Sequence, residues 1–96
     1  MTEFIKIADT ADKHRVMVVP HGSSLYGYHF SITRHNSPFS EFLMMAPQAD
    51  AIIPMFSPLL LDEPVPQNGR MKLSDAPGFG VRLNPECLLR TISKDA

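Results

Sequence analysis

Proline decides how much of this 96-residue chain can be regular. Pro54, Pro58, Pro64 and Pro66 interrupt everything between Ile52 and Gln67. Each removes a backbone N–H and fixes φ, so neither a helix interior nor a central strand is expected there. The spacing predicts short extended pieces joined by turns, with Asn68-Gly69 of "QNGR" as a hairpin turn. Gly78 and Gly80 bracket Phe79, which predicts a further turn with unusual backbone angles.

Before Pro47 the texture is different. Thr2 to Lys13 reads as a helix: Phe4, Ala8 and Ala11 share one face, and Ile5 and Ile7 widen the stripe. Thr2 is the expected N-cap, and His14 and Arg15 fall where cations suit the helix dipole. Residues 16–19, "VMVV", are apolar at every position and rich in β-branched side chains. That is the pattern of a strand buried on both faces, as in a parallel sheet. A loop then leads to a short irregular helix carrying Leu25, Tyr28 and Ile32, weakened by Gly27 and ended by Asn36-Ser37-Pro38. A second apolar run, "FSEFLMMA" at residues 39–46, carries one carboxylate, Glu41. Near the other end, Asn84 and Pro85 form an N-cap and N1 pair for a final helix with Leu88, Leu89 and Ile92.

A chain of this length holds one small domain with a modest core. The apolar fraction is 44% and the charged fraction 20%, which places it among globular rather than disordered sequences. Nine Lys and Arg oppose ten Asp and Glu, for a formal net charge of −1. No basic cluster is present, so no nucleic-acid partner is expected. The apolar runs are too short to span a bilayer, and no basic segment precedes an apolar one at the N-terminus. No membrane partner and a cytoplasmic location are therefore expected. The single cysteine, Cys87, allows neither an intrachain disulfide nor a cysteine zinc site, and reads as a small buried apolar residue.

Several motifs carry nothing. "GFGVRL" has Leu83 where a dinucleotide fingerprint needs its third glycine, and it opens no helix. Asp62 and Glu63, next to Pro64, read as a solvated turn. Ser23 and Ser24 stand close to His21 without the G-x-S-x-G elbow of a serine hydrolase. His21, His29 and His35 lack the spacing of a helical metal pair. Met44 and Met45 read as core filler.

His21 and Glu41 are more telling. Each sits at a boundary of a short apolar run, twenty positions apart. If both runs are parallel strands of one barrel, both side chains can face the same mouth, where β/α barrels place their chemistry. The segments "VMVVPHGSSLYGYHFSITRHNSPFSEFLMMAP", "FSPLLLDEPVPQNGRMKL" and "PGFGVRLN" resemble, in that order, the C-terminal portion of L-rhamnonate dehydratases. These are acid-sugar dehydratases of the mandelate racemase group in the enolase superfamily. The resemblance covers essentially the whole chain.

It implies an α/β fold: the C-terminal fragment of an enolase-superfamily (β/α) barrel, with the last two strands, their helices and a proline-rich tail. Residues 1–48 would be the terminal β/α units. Residues 49–96 would be a tail that in relatives returns to the capping domain. It also implies proton abstraction alpha to the carboxylate of an acid sugar, L-rhamnonate or similar, and loss of the β-hydroxyl, with Mg²⁺ stabilising the enediolate. By match of position, His21 is the general acid/base. Glu41 lies near the substrate carboxylate as a protonated hydrogen-bonding partner, a state that a desolvated anionic site favours. Ser23, Ser24 and Tyr28 either contact substrate or pack.

The family's Mg²⁺ ligands and the aspartate that orients its histidine belong to earlier strands and are not in this chain. A whole barrel takes about 250 residues. A truncated gene product or an excised fragment, inactive alone, is therefore expected. The competing reading is a non-catalytic remnant persisting as an oligomer or folding unit, and the DNA upstream of Met1 separates the two. Open sheet edges favour a homo-oligomer in either case.

Overall fold

The computed structural model describes residues 1–87. Helix α1 spans Thr2–Lys13 and helix α2 spans Leu25–Ile32; two short strands follow, β1 at Leu60–Leu61 and β2 at Arg82–Leu83. The final helix expected after Asn84, with Leu88, Leu89 and Ile92, lies outside the described residues. Among the described residues, Asn84 Oδ1 accepts the Glu86 N–H at 3.0 Å.

Helix α1 matches its periodicity, with one correction at the start. The Met1 carbonyl accepts the Ile5 N–H at 3.2 Å, so Met1 is the cap and Thr2 is already helical. At the other end, Val16 N–H bonds Ala11 O and Arg15 N–H bonds Asp12 O, both at 2.9 Å, with Arg15 at φ 57°. This is a Schellman closure, with arginine where glycine is usual. It turns the chain sharply off the helix into residues 16–19.

The core lies where α1 meets α2. Ala8 and Phe30 are each 1% exposed, and Phe30 is the largest fully buried side chain. The Phe4 ring packs on Phe30 at 5.2 Å and on Tyr26 at 6.2 Å between centroids. Asn36 Nδ2 donates to Ala8 O at 3.0 Å, and Arg34 and His35 pair with Asp9 and Asp12 of α1. Tyr28 and Ala46 complete the buried apolar set.

Two strand expectations are corrected. Residues 16–19 form no β-ladder among the described residues; Val18 N–H donates once, to Asn36 O at 2.8 Å. Val16, Met17 and Val19 are 53%, 63% and 42% exposed. Residues 39–46 likewise pair with no strand, and Met44 and Met45 are exposed rather than core filler. A strand exists only beside another strand, and among the described residues neither run has a neighbour to close a ladder with. The Cα radius of gyration, 15.9 Å, agrees: a compact domain of this length measures about 12–13 Å.

The proline-rich half closes on itself. β1 and β2 are antiparallel, with Leu60 opposite Leu83 and Leu61 opposite Arg82. Asp62 turns the chain at φ 67° and accepts from Arg82 Nε at 2.7 Å, so it belongs to an exposed turn as expected. Glu63 accepts the Phe56 N–H. The Asn68-Gly69 turn forms: both residues have positive φ, and Gln67 and Arg70 exchange two backbone hydrogen bonds at 2.8 and 3.0 Å. Gly78 and Gly80 also take positive φ. Cys87 is half-buried rather than buried, with Sγ 3.5 Å from Pro58 O. The proline-rich half meets α2 where the His29 ring lies tilted against Phe79, 5.5 Å between centroids, with Nε2 3.3 Å from the Phe79 carbonyl.

Candidate active site

Buried Pro20 anchors the end of the first apolar run. Gly22 follows at φ +85°, a conformation that strains any residue with a Cβ. That turn aims the Gly22 N–H at Glu41 Oε2, 2.6 Å away. The same oxygen lies 3.0 Å from His21 Nδ1. The fold therefore joins His21 and Glu41, the pair singled out from the sequence, through one carboxylate oxygen.

The two members differ in exposure. The His21 side chain is 92% exposed and that of Glu41 is 40% exposed. Exposure leaves His21 Nε2 open to an incoming molecule, while Nδ1 is held by the carboxylate. Such an arrangement orients an imidazole and leaves its other nitrogen free to move a proton. Solvent screens an ion pair of this kind, so its weight is in orientation rather than stability.

Ser23 and Ser24 hold the loop in place. Ser23 is 5% exposed, and its hydroxyl accepts the Leu43 N–H, which gives a second tie between the His21 loop and the Glu41 segment. Ser24 caps α2 by accepting the Gly27 N–H at 3.2 Å. Gly27 has a packing reason: a Cβ there would lie 2.5 Å from Ser24 Oγ and 3.5 Å from Pro20 Cβ. The glycine that weakens the helical pattern is what lets α2 start directly beneath the loop.

Tyr28 packs in the core at 5% exposure, and its hydroxyl is shut off from solvent without a hydrogen bond of good geometry. Burial pushes its pKa above the ordinary 10.0; the nearby Ser23 hydroxyl opposes the rise and the Glu63 carboxylate adds to it.

Behind Glu41 a cavity of about 390 Å³ opens between α2 and the hairpin closed by Gln67 and Arg70. Its wall includes Ser31, Ser37, Glu41 and Arg70. Arg70 drew no attention in the sequence beyond its turn, because the turn's role in facing Glu41 is set by contacts far apart in the chain. Among the described residues no group of three His, Cys, Asp or Glu side chains could hold a metal ion. No helix among them is long and apolar enough to cross a membrane.

Comparison with known proteins agrees with the resemblance. L-rhamnonate dehydratase of Saccharopolyspora erythraea is 71% identical over 90 residues, which cover 94% of this chain and 23% of that protein. The chain thus spans about a quarter of the length of the curated relative it matches. A family model described as enolase C-terminal domain-like matches residues 1–87. The chain belongs to the enolase C-terminal domain-like family.

Proposed function

We propose that this chain supplies the acid/base end of a sugar-acid dehydratase acting on L-rhamnonate or a close relative of it. The observation that carries the reading is the His21 Nδ1–Glu41 Oε2 contact at 3.0 Å, in a chain 71% identical to an L-rhamnonate dehydratase. In this reading His21 Nε2 takes the proton alpha to the substrate carboxylate. The imidazolium then returns a proton to the departing β-hydroxyl, so one ring serves both steps. Glu41 Oε2 keeps the ring oriented. Glu41 Oε1, which makes no hydrogen bond among the described residues, carries a proton when substrate is bound, faces the substrate carboxylate and donates that proton's hydrogen bond to the enediolate.

The family resemblance implies magnesium. The described residues gather no set of three metal-ligating side chains, so they do not fit the ion, and no step here depends on it. The ligands belong to a site completed by polypeptide outside this chain. Residues 1–48 are then terminal β/α units of a barrel, and residues 49–96 a tail that returns to a capping domain. The exposed apolar run of Val16, Met17 and Val19, and that of Leu43, Met44 and Met45, support this architecture. Both have the composition of strands covered on two sides. The same surfaces favour self-association of the free chain, and the expected location is the cytoplasm.

The test is a chimaera. This chain replaces the matching 90-residue stretch of the Saccharopolyspora dehydratase, and 2-keto-3-deoxy acid formation is followed with L-rhamnonate and Mg²⁺. The chimaera turns over, and His21→Asn lowers kcat by a factor on the order of 10²–10⁴. Full turnover by the His21→Asn chimaera, or turnover by the 96-residue chain alone, sinks the reading.

A further inference from the structure

We propose that Asn68 is a self-modification site: the Gly69 backbone nitrogen attacks the Asn68 side-chain amide, and the turn converts to aspartyl and isoaspartyl forms with loss of ammonia. Asn68 and Gly69 are the two turn residues of the hairpin closed by Gln67 and Arg70, and the dehydratase reading makes no use of them.

The reaction needs a side-chain amide that is not engaged, a following backbone nitrogen with a proton to lose, and no side chain crowding that nitrogen. The chain has three asparagines, so the comparison is complete. Asn84 precedes Pro85, whose nitrogen carries no hydrogen, and both ends of its amide are held. Its Nδ2 donates to Pro58 O at 2.9 Å, and its Oδ1 accepts the Glu86 N–H. Asn36 Nδ2 donates to Ala8 O at 3.0 Å, and the following Ser37 N–H is bonded to Arg34 O at 3.1 Å. Asn68 differs at each point. It is exposed, and among the described residues neither its side chain nor the Gly69 N–H makes a hydrogen bond. Gly69 is exposed too, and nothing lies within 4 Å of where a Cβ would stand.

Charge favours the same step. Arg70 and Lys72 line one groove with Asn68, and no carboxylate shares that wall among the described residues. Cations favour the anion formed when the Gly69 nitrogen gives its proton to solvent hydroxide. That nitrogen bonds to Asn68 Cγ, the Cγ–Nδ2 bond breaks, and ammonia departs with a proton drawn from water. The cyclic imide left behind then takes up water. Opening at Cγ restores the ordinary peptide link and leaves a side-chain carboxylate. Opening at the main-chain carbonyl routes the backbone through Cβ and Cγ, an isoaspartyl link one carbon longer. Water enters, ammonia leaves, and nothing is oxidised or reduced.

The two products act differently on the fold. An aspartyl residue accepts positive φ as asparagine does, so the turn survives. The isoaspartyl backbone is too long for a two-residue turn, and the Gln67–Arg70 bridge is lost. Either product sets a new negative charge in the groove beside Arg70 and Lys72.

The test incubates the 96-residue chain at neutral and at mildly alkaline pH. It follows ammonia release, the mass gain of NH₂ replaced by OH located by peptide fragmentation, and isoaspartyl content by enzymatic methyl esterification. Asn68 converts, faster at the higher pH, while Asn36 and Asn84 stay intact. In urea Asn36 begins to convert, because its hydrogen bonds are gone, and Asn84 does not. Gly69→Ala slows conversion about tenfold, because a methyl group crowds the attacking nitrogen. The slowing holds in urea as in buffer, so it is readable even where that variant loses the turn. Asn68→Asp keeps slow amide exchange at Gln67 and Arg70, and the isoaspartyl fraction of the wild type loses it. The proposal is overturned by an unmodified Asn68, by conversion of Asn36 or Asn84 ahead of it in buffer, or by a rate that is flat with pH. An unchanged rate in Gly69→Ala overturns it as well, and so does an isoaspartyl fraction that keeps slow exchange at both amides.

Discussion

Tyr28→Phe should stabilise this chain, although it deletes a polar group. Tyr28 is 5% exposed, and its hydroxyl is sealed from water without a hydrogen bond of good geometry. Leaving a buried polar group unsatisfied costs about 1–3 kcal/mol. Removing the oxygen relieves that cost and leaves a void smaller than a methyl group. The nearby Ser23 hydroxyl recovers part of the cost in the wild type, so the expected gain is about 1 kcal/mol. For a domain of this size that raises Tm by about 4–8 °C. The gain also has a pH signature. Burial raises the folded-state pKa above the ordinary 10.0 of the unfolded chain. The neutral phenol is thus the form the fold prefers. Its contribution is complete below pH 10.0 and is lost as pH rises through the higher folded value. Phenylalanine has no such loss, so the gap between variant and wild type widens above pH 10.0. Urea or thermal melts by circular dichroism from pH 7 to 11 measure it. A Tyr28→Phe chain less stable than wild type, or a gap that stays flat across that range, refutes the reasoning and means that the hydroxyl has a strong partner.

Three further outcomes follow from the same structure. Ser24→Ala removes the α2 cap and should cost about 1 kcal/mol, with faster amide exchange at Gly27; unchanged exchange there means the cap is idle. The Arg82 guanidinium beside Asp62 holds that carboxyl below its ordinary 3.8, mainly through their hydrogen bond. The clasp is therefore complete above pH 3.8 and is lost as pH falls through the lowered value. Arg82→Gln should move the Asp62 titration upward in carboxyl NMR, and a midpoint that stays put removes the clasp. Finally, the free chain should sediment above monomer mass, and Met17→Lys with Met45→Lys should return it to monomer, since both side chains are exposed on the uncovered runs. A monomeric wild type shows that those runs do not drive association.

How legible each part was depends on how far apart its determinants lie. Helix α1 was readable because its apolar stripe repeats within three turns. The Asn68-Gly69 turn was readable because two adjacent residues supply both positive φ angles. The strand at residues 16–19 was read from composition, and composition reports what a segment suits, not whether a neighbour is present to pair with it. The His21–Glu41 pair was nameable, but its geometry was not. It depends on the Gly22 turn and on the Ser23–Leu43 tie, which link segments about twenty residues apart.

By itself, then, the sequence determined the helices, the turns, the proline-broken half and the identity of the two residues that carry the candidate chemistry. Helices α1 and α2, the turns and the proline-broken half follow from backbone preferences that act over a few residues; the two candidate residues follow from the match of their flanking segments to a family. Only the tertiary structure decided that one oxygen of Glu41 holds both His21 and Gly22, that Tyr28 packs in the core, and that Arg70 shares a cavity wall with Glu41. It also decided that both apolar runs stay uncovered. Those are facts about surfaces meeting in space. Burial and hydrogen bonding between distant segments have no period in the chain, so nothing local in the sequence encodes them.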